Sequence, residues 1–445
     1  MSSKFIERVP EDQIAIVLHP DTDFSSSLTA PEARLEEAQG LAQAVDIEVV
    51  AAQIVRVRKA VPATLFGSGK VREIGDLIFE HSANVVVVDT ALTPIQQRNL
   101  EKEWDIKVID RTGLILEIFA KRARTREGKL QVELARLDYE RSRLVRTWTH
   151  LERQRAAVGT TGGPGETQIE LDRRMIADRI VRLKTELEEV RRTRALHRSA
   201  RKRVPYPVIA LVGYTNAGKS TLFNALTRAE VMAKDMLFAT LDPTLRTLKL
   251  PQGRPAILSD TVGFISDLPH ELVAAFRATL EEVAEADLIV HVRDLSNPDT
   301  EAQAREVMAV LKQIEPENGP QKMLEVWNKI DLLPEDERGL LMARAVRLSD
   351  AADQAPPVPV SAITGEGLEN LRVLLADLIE DGAEQTITLA PHQGQILAWL
   401  YQHGRIVHRQ DDEAGLVHLT VKLSNQSLGR FEQMMGYVKP RNDWE

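Results

Sequence analysis

A glycine-rich loop carries the strongest chemical signal in this sequence. Residues 213–220 read GYTNAGKS and lie between an apolar run, 208–212, and a helix-prone segment, 221–226. In this strand–loop–helix setting, backbone N–H groups and the positive end of the helix face one phosphate chain. Lys219 can then reach the β- and γ-phosphates, and the Ser220 hydroxyl can ligate Mg²⁺. A glycine turn without a ligand is the alternative, but the full spacing favours a nucleoside triphosphate site.

Two loops that sense a γ-phosphate are predicted further along the chain. The tetrapeptide Asp260-Thr-Val-Gly263 follows an apolar run, so Asp260 can hold Mg²⁺ through water and the Gly263 N–H can meet a γ-phosphate. Before it, FATLDPT at 238–244 predicts a mobile segment in which a threonine closes over Mg²⁺ and the γ-phosphate. Thr240 and Thr244 are both candidates for that ligand, and a solvated loop hydroxyl is the alternative for either.

Two further motifs indicate that the base is guanine. NKID at 328–331 follows an apolar strand, and the Asp331 carboxylate can accept two hydrogen bonds from the N1–H and N2–H₂ edge of guanine. Adenine offers no such pair and would leave a buried Asp331 unpaired. Ser361 and Ala362, after another apolar strand, fit the loop that backs the guanine carbonyl. Each motif lies at the carboxyl end of a predicted strand, the edge at which open α/β sheets bind ligands.

Two positions bear on the hydrolysis step. Many GTPases place a glutamine directly after DxxG to orient the attacking water, whereas this chain has Phe264. We therefore expect slow intrinsic hydrolysis, with the polar group supplied by another residue or by a partner. Asn216 occupies the place in the phosphate loop at which one branch of GTPases binds K⁺, whose charge substitutes for an arginine finger. A turn-stabilising asparagine is an equal alternative, so K⁺ is a candidate cofactor beside Mg²⁺.

Composition indicates a globular chain with several cores. Of 445 residues, 43% are hydrophobic and 28% are charged, and the absence of cysteine excludes disulfides, thiol chemistry and cysteine-based zinc sites. The N-terminus lacks an apolar signal core, and no apolar run approaches the length of a membrane span. We therefore expect a cytoplasmic protein, which we take to be a monomer. His291 falls in a predicted core strand, where a structural role is expected.

The sequence predicts four consecutive units, three of them of α/β or α+β character. Residues 1–120 alternate short apolar runs with helical segments, which predicts a small parallel sheet with helices on its faces. Within it, FGSGK at 66–70 is too short for a second phosphate loop and predicts a glycine turn that begins a helix. Residues 121–203 form a helical hairpin, 204–382 the α/β nucleotide domain, and 383–445 a small α+β domain.

Residues 121–203 predict a basic antiparallel coiled coil. Apolar positions recur every 3.5 residues on both sides of VGTTGGPG at 158–165, and two helices joined by such a loop fold back on each other. Each arm of roughly 30 residues would be about 45 Å long. The unit holds 23 Lys/Arg and 12 Asp/Glu, a local charge of +11 in a chain of net charge −9. A solvated structural hairpin is the alternative, but this surplus favours phosphate contacts with structured RNA.

The motifs, their order and the hairpin resemble the HflX family of GTPases over nearly the whole chain. GGPGETQIE at 162–170 is the discriminating mark, beside GYTNAGKS, FATLDPT, DTVGFI, NKID and SAITG. The resemblance implies a GTPase that binds the large ribosomal subunit and splits stalled or idle ribosomes after stress, with the hairpin tip near the peptidyl-transferase region. It also implies Ser220 and Thr240 as Mg²⁺ ligands, with Thr240 preferred to Thr244, and with Asp260 they form the expected Mg²⁺ site.

The expected site residues form three sets. Catalysis is assigned to Lys219, Thr240 and Gly263. Ribosome contacts are expected from the flanks and tip of the hairpin, at Arg143, Arg146, Gly162, Gly163, Arg191 and Arg192. Contacts with GTP are expected at Gly213, Tyr214, Thr215, Asn216, Ala217, Gly218, Lys219, Ser220, Thr221, Phe238, Ala239, Thr240, Leu241, Asp242, Asp260, Thr261, Val262, Gly263, Asn328, Lys329, Ile330, Asp331, Ser361 and Ala362.

Taken together, the sequence predicts a GTP-dependent switch that docks on ribosomal RNA. A metabolic kinase or ATPase could use the same phosphate loop, but NKID at 328–331 argues against it. A nucleotide-gated regulatory scaffold with little turnover is the other alternative, which Phe264 leaves open. GTP turnover measured with and without large ribosomal subunits separates the three.

Overall fold

The computed structural model describes most of the chain. The described residues are 13–22, 29–155, 168–201, 206–228, 237–251, 255–266, 282–313, 321–351, 355–379, 384–412 and 415–423, with 428, 430, 431, 434 and 435. Within these residues the strands form three separate sheets, and a helical hairpin lies in sequence between the first sheet and the second. None of the helices in these ranges is long and apolar enough to cross a membrane.

The N-terminal unit is a parallel sheet flanked by helices, as the sequence predicts. Its strand order is β2-β1-β3-β4, and every residue of β3 is buried, which accounts for the run of four valines. The glycine turn at 66–70 does begin a helix, with Gly67 as its N-cap. The elements are β1 (Ile14–Thr22), α1 (Pro31–Gln43), β2 (Glu48–Val57), α2 (Ser68–His81), β3 (Val85–Val88), α3 (Pro94–Trp104), β4 (Lys107–Asp110) and α4 (Arg111–Arg122).

The hairpin consists of two long helices, α5 (Arg126–Arg155) and α6 (Gln168–Arg201). Leu130 packs against Leu183 and Leu187 in a seam of the predicted apolar positions, so the 3.5-residue repeat does mark the contact face. The base of α5 packs on the N-terminal unit, where the Tyr139 hydroxyl donates to Asp110 at 2.6 Å. The predicted glycine-rich tip lies outside the described residues.

The third unit carries the predicted motifs on an open sheet of order β10-β9-β8-β5-β7-β6. Its strands run parallel except β6, which pairs antiparallel with β7 and begins at Thr244. Sequence reasoning placed Thr244 in a mobile loop and did not predict β6. The elements are β5 (Val208–Val212), α7 (Lys219–Thr227), β6 (Thr244–Lys249), β7 (Pro255–Asp260), β8 (Leu288–Asp294), α8 (Thr300–Gln313), β9 (Lys322–Asn328), α9 (Glu335–Ala351), β10 (Val358–Pro359) and α10 (Leu368–Ile379).

The C-terminal unit is an antiparallel sheet of order β11-β13-β12 with one packed helix. The sheet and helix agree with the α+β character that the sequence predicts for this unit. Leu400 of the helix and Leu419 of the central strand are fully buried in a separate core. The elements are β11 (Glu384–Leu389), α11 (Gly394–His403), β12 (Gly404–Asp411) and β13 (Val417–Leu423).

His291 on β8 makes a testable contribution to stability. It is 1% exposed, and burial lowers its pKa from 6.5 to about 4. The unfolded chain therefore takes up a proton at this residue before the folded chain does, so stability is retained above pH 6.5 and falls as the pH drops towards 4. When the pH is lowered from about 7.5 to about 5, the free energy of unfolding of the wild type, measured with urea, should fall by about 2 kcal/mol more than that of His291→Leu. Equal losses in both proteins would contradict the buried neutral imidazole.

Candidate nucleotide-binding site

The loop between β5 and α7 has the backbone curvature that phosphate binding requires. Gly218 adopts a φ of +88°, and a Cβ there would lie 2.2 Å from the side-chain nitrogen of Asn328. Asn216 also has a positive φ, 61°, which asparagine tolerates better than most residues. The backbone thus gives Asn216 a turn-forming role on its own, and its predicted K⁺ contact stays a prediction.

Lys219 is buried beside the predicted phosphate position. Its ammonium group is buried and donates to the carbonyl oxygens of Gly213 at 3.1 Å and Tyr214 at 2.7 Å. Burial lowers the pKa of Lys219, and the nearby Asp260 carboxylate raises it by less, so the pKa is about 8. An anion placed beside this amine would favour its charged form. The loop therefore presents a buried cation that a phosphate group would complete.

The three predicted Mg²⁺ ligands meet at one point. The Ser220 hydroxyl donates to Asp260 Oδ2 at 2.7 Å, the Thr240 hydroxyl donates to the same oxygen at 2.9 Å, and the two hydroxyls lie 2.9 Å apart. Burial raises the pKa of Asp260, and its Oδ1 has no hydrogen-bond partner in the described part of the chain. Mg²⁺ prefers such oxygen ligands, one carboxylate among them. The donor set fits Mg²⁺ and favours Thr240 over Thr244, which pairs with Asp260 only through the strand ladder.

A cleft that is open to solvent, with a volume of about 420 Å³ including its mouth, lies between the phosphate loop and the two predicted γ-phosphate loops. Most predicted phosphate contacts line it, whereas Val262 and Leu241 pack in the apolar core instead. The Asp242 carboxylate is bonded to the start of the hairpin. The lining residues are Thr215, Asn216, Gly218, Lys219, Ser220, Thr221, Phe238, Ala239, Thr240, Thr261 and Gly263.

The base-side motifs converge on Asn328. Its amide donates to the Ala217 carbonyl at 2.9 Å and accepts from the Ala362 N–H at 3.1 Å. One side chain thus joins the phosphate loop to the loop that contains Ser361 and Ala362. Asp331 is half-buried and lies in the 3-10 turn Ile330–Leu332, three residues after Asn328. Lys329 pairs with Asp294 at 2.8 Å.

Sequence reasoning missed a buried polar network that joins this site to the N-terminal unit. The Tyr214 hydroxyl bonds Glu37 of α1 and lies 2.6 Å from the Ser266 hydroxyl, three residues after Gly263. Arg111 donates to Glu37 at 2.5 Å and to the Ser266 carbonyl at 2.9 Å, and it also bonds Asp89. Burial opposes the charge of Arg111, but the two carboxylates outweigh it and raise the pKa above its ordinary value.

No local signal in the sequence marks this network. Arg111 and Glu37 lie on helical segments, where charged residues are usually solvated. Tyr214 is one residue inside the phosphate loop, where backbone contacts were expected. Burial and the Glu37 carboxylate raise the pKa of Tyr214 well above its ordinary value, so the phenol stays a donor.

The predicted ribosome contacts are only partly described. Arg143 donates to Asp110 at 2.7 Å and stacks over the Tyr139 ring at 4.0 Å, so its guanidinium is already engaged in the hairpin base. Arg192 is exposed on α6. The side chains of Arg146 and Arg191, and the whole of Gly162 and Gly163, lie outside the described residues. Their roles stay predictions.

The fold and this site define the class: a P-loop GTPase, with the nucleotide site at the carboxyl edge of the central sheet. Family models match along the chain as GTP-binding GTPase N-terminal (32–120), GTP-binding GTPase Middle Region (122–201), 50S ribosome-binding GTPase (208–329) and HflX C-terminal domain (347–444). The chain belongs to the HflX family of GTPases.

Relatives named GTPase HflX cover most of the chain. The protein from Magnetococcus marinus is 52% identical over 399 residues, which cover 89% of this chain and 90% of that protein. The one from Escherichia coli K12 is 45% identical over 391 residues, which cover 87% and 89%. Among solved structures, a crystal structure of SsGBP with GDP is 25% identical, has a TM-score of 0.49 and covers 82% of this chain and 98% of that chain.

Base specificity can be tested at Asp331. In the Asp331→Asn variant, the amide can donate to a xanthine carbonyl where the carboxylate accepted from the guanine amine. We expect GTP affinity to fall by roughly a hundredfold, as for loss of a charged hydrogen-bond pair, while XTP affinity rises. Competition of both nucleotides against a fluorescent analogue measures the change. GTP affinity equal to that of wild type would refute the assignment of NKID to the base.

The state of Lys219 predicts a pH dependence of nucleotide affinity. Without nucleotide its pKa is about 8, and phosphate groups keep it protonated in the complex. Binding above that pH therefore takes up a proton, so GDP affinity should weaken by about tenfold from pH 7 to pH 9. Lys219→Arg stays charged throughout and should show a flat profile at its own, lower affinity. A flat wild-type profile would show that Lys219 is already fully charged in the free protein.

Proposed function

We propose that this chain is a GTP-driven factor that docks on the large ribosomal subunit through its hairpin and separates the subunits of stalled or idle ribosomes. One observation carries the proposal: the two γ-phosphate loops pack against the unit from which a long basic hairpin projects. Arg111 bonds Ser266 in one loop, and Phe119 packs edge-on against Phe238 in the other at 4.9 Å. The model described as a 50S ribosome-binding GTPase, matched over 208–329, supports the same partner.

The chemistry rests on positioning and charge. Lys219 neutralises the β- and γ-phosphates, and the Gly263 N–H donates to the γ-phosphate. Ser220, Thr240 and Asp260 would hold Mg²⁺, which would supply positive charge against the negative charge that develops on the transferred phosphoryl group. After hydrolysis the contacts that Thr240 and Gly263 make with the γ-phosphate are lost, so both loops are released from the closed arrangement.

Phe264 supports slow turnover in the free protein. Its carbonyl accepts from the Thr215 N–H at 2.7 Å, and its N–H donates to the Gly213 carbonyl at 3.1 Å, so the backbone is bound to the phosphate loop. The aromatic ring is buried and has no group that could orient water. The polar group that completes the site therefore comes from elsewhere, and we propose that docking on the ribosome supplies or positions it.

The hairpin provides the electrostatic docking surface. The 121–203 unit has a local charge of +11, from 23 Lys/Arg and 12 Asp/Glu, and ribosomal RNA presents a dense array of phosphates. Exposed basic residues of α6 lie on the solvent side of the coiled coil. Because its partner is the ribosome, we propose that the protein acts in the cytoplasm.

GTP turnover tests the function directly. We expect hydrolysis by the free protein to be slow and to rise by at least about tenfold when purified large subunits are added, with small subunits as the control. Low turnover that large subunits leave unchanged would favour the regulatory-scaffold alternative. Fast turnover by the free protein would contradict the role assigned to Phe264.

The docking surface is tested by charge. Neutralising four exposed basic residues of α6 should weaken binding to large subunits and reduce the salt slope by about three, as for four lost phosphate contacts. Co-sedimentation over a salt series measures both. The four changes are Arg173→Gln, Arg182→Gln, Lys184→Gln and Arg192→Gln. A matched control neutralises four exposed basic residues of the GTPase domain, Arg246, Lys249, Lys312 and Arg347. Equal effects of the two sets would show that the hairpin charge is only a solvated face.

A further inference from the structure

We propose that Asp242 is a positioning residue for GTP hydrolysis, which holds Thr240 at the Mg²⁺ site by binding the N-cap residue of the first helix of the hairpin. Asp242 lies two residues after Thr240, in the loop that closes over the γ-phosphate. Sequence reasoning expected it to contact GTP. In the structure its carboxylate binds the residues that lead into α5, and its contact with GTP stays a prediction. The proposal concerns the GTPase reaction of the free protein and needs no ribosome.

The carboxylate of Asp242 completes the cap of α5, whose N-cap residue is Thr125. Oδ2 accepts from the backbone N–H groups of Arg124 at 2.7 Å and Thr125 at 2.8 Å, and Oδ1 accepts from the Thr125 hydroxyl at 2.5 Å. The Thr125 hydroxyl in turn accepts from the Gly128 N–H at 3.0 Å. The first N–H groups of a helix lack partners within it and attract negative charge. Thr125 thus caps α5 in the ordinary way, and Asp242, 117 residues further along the chain in the loop predicted to sense the γ-phosphate, holds Thr125 in place.

Thr240 lies between two contacts, one with the N-terminal unit and one with the start of the hairpin. On one side, the Phe238 ring is 2% exposed and packs edge-on against Phe119. On the other side, the Asp242 carboxylate is bound to the start of α5. Between these anchors, the Thr240 hydroxyl lies 2.9 Å from Asp260 Oδ2. Three residues separate Phe238 from Asp242, so movement of either anchor must move Thr240.

Gly128 leaves the space that the cap needs. A Cβ at this position would lie 2.5 Å from Asp242 Oδ1, which is too close for the carboxylate to stay in place. Alanine favours a helix more than glycine does. Gly128→Ala should therefore strengthen α5 by propensity alone, yet it should displace the Asp242 carboxylate. Gly128→Ala should therefore stabilise the helix and weaken the nucleotide site, so a loss of nucleotide affinity cannot be explained by a destabilised helix.

This step rests on the proposed function, in which Thr240 senses the γ-phosphate, so loss of the cap should affect GTP and GDP differently. We expect Asp242→Ala and Gly128→Ala to lower the affinity for GMPPNP with Mg²⁺ by roughly tenfold, the value of a lost cap and its charge. The kcat should fall by a similar factor, and GDP affinity should stay within about twofold of wild type. Asp242→Asn keeps an acceptor oxygen and should restore most of the GMPPNP affinity. Asp336→Ala, an exposed aspartate in the first turn of α9, is the matched control.

A second readout does not depend on activity. If the cap joins the γ-phosphate loop to α5, then GMPPNP should slow amide exchange at residues 124–129 relative to GDP, because coupling between two sites is reciprocal. The difference should vanish in Asp242→Ala. Melting temperature and GDP binding confirm that each variant folds. Equal losses of GMPPNP and GDP affinity, or wild-type GMPPNP affinity in both Asp242→Ala and Gly128→Ala, would overturn the proposal.

Discussion

Two opposite charges are buried at the phosphate site, and neither is fully satisfied by the protein. The Lys219 ammonium binds two loop carbonyls, and Asp260 Oδ1 has no partner among the described residues. Burying such groups costs free energy unless they are paired. Phosphate groups and Mg²⁺ would provide these partners, so ligand binding would neutralise the buried charges at the sheet edge. The bound state is therefore favoured by the way the site is built.

The N-terminal unit takes part in this site rather than standing apart from it. The Arg111–Glu37–Tyr214 network reaches Ser266 after the DTVG motif, and the Phe119–Phe238 contact reaches the other γ-phosphate loop. Both loops that are predicted to sense the γ-phosphate are thus in contact with the part of the chain that holds the hairpin. GTP binding can then change the affinity of the hairpin for its partner. Binding of the partner at the hairpin must then change the affinity for GTP by the same factor.

The sequence predicted whatever depends on local pattern. The phosphate loop, DTVG and NKID lie at the carboxyl ends of strands as expected, and the N-terminal parallel sheet follows its apolar runs. Thr240 could not be separated from Thr244 by pattern alone; the position of the Asp260 carboxylate separates them. The heptads marked the hairpin seam, with Leu130 against Leu183.

What the sequence did not predict depends on contacts between distant residues. The residues after Asp242 form the strand β6 by pairing with β7, a partner that the sequence of β6 itself does not indicate. Arg143 looked like surface charge on a basic helix but is bound to Asp110. Arg111, Glu37 and Tyr214 carry no motif, and only packing between units brings them together. Charged residues on helices look alike in sequence whether they face water or a neighbouring unit.

If the nucleotide at the GTPase site controls docking through the hairpin, the affinity for the ribosome must depend on which nucleotide is bound. The most direct measurement is the affinity of the protein for purified large ribosomal subunits when saturated with GMPPNP or with GDP, at one salt concentration. We predict at least about tenfold tighter binding with GMPPNP, which corresponds to a coupling free energy of roughly 1.4 kcal/mol. Equal affinity in the two nucleotide states would contradict the account.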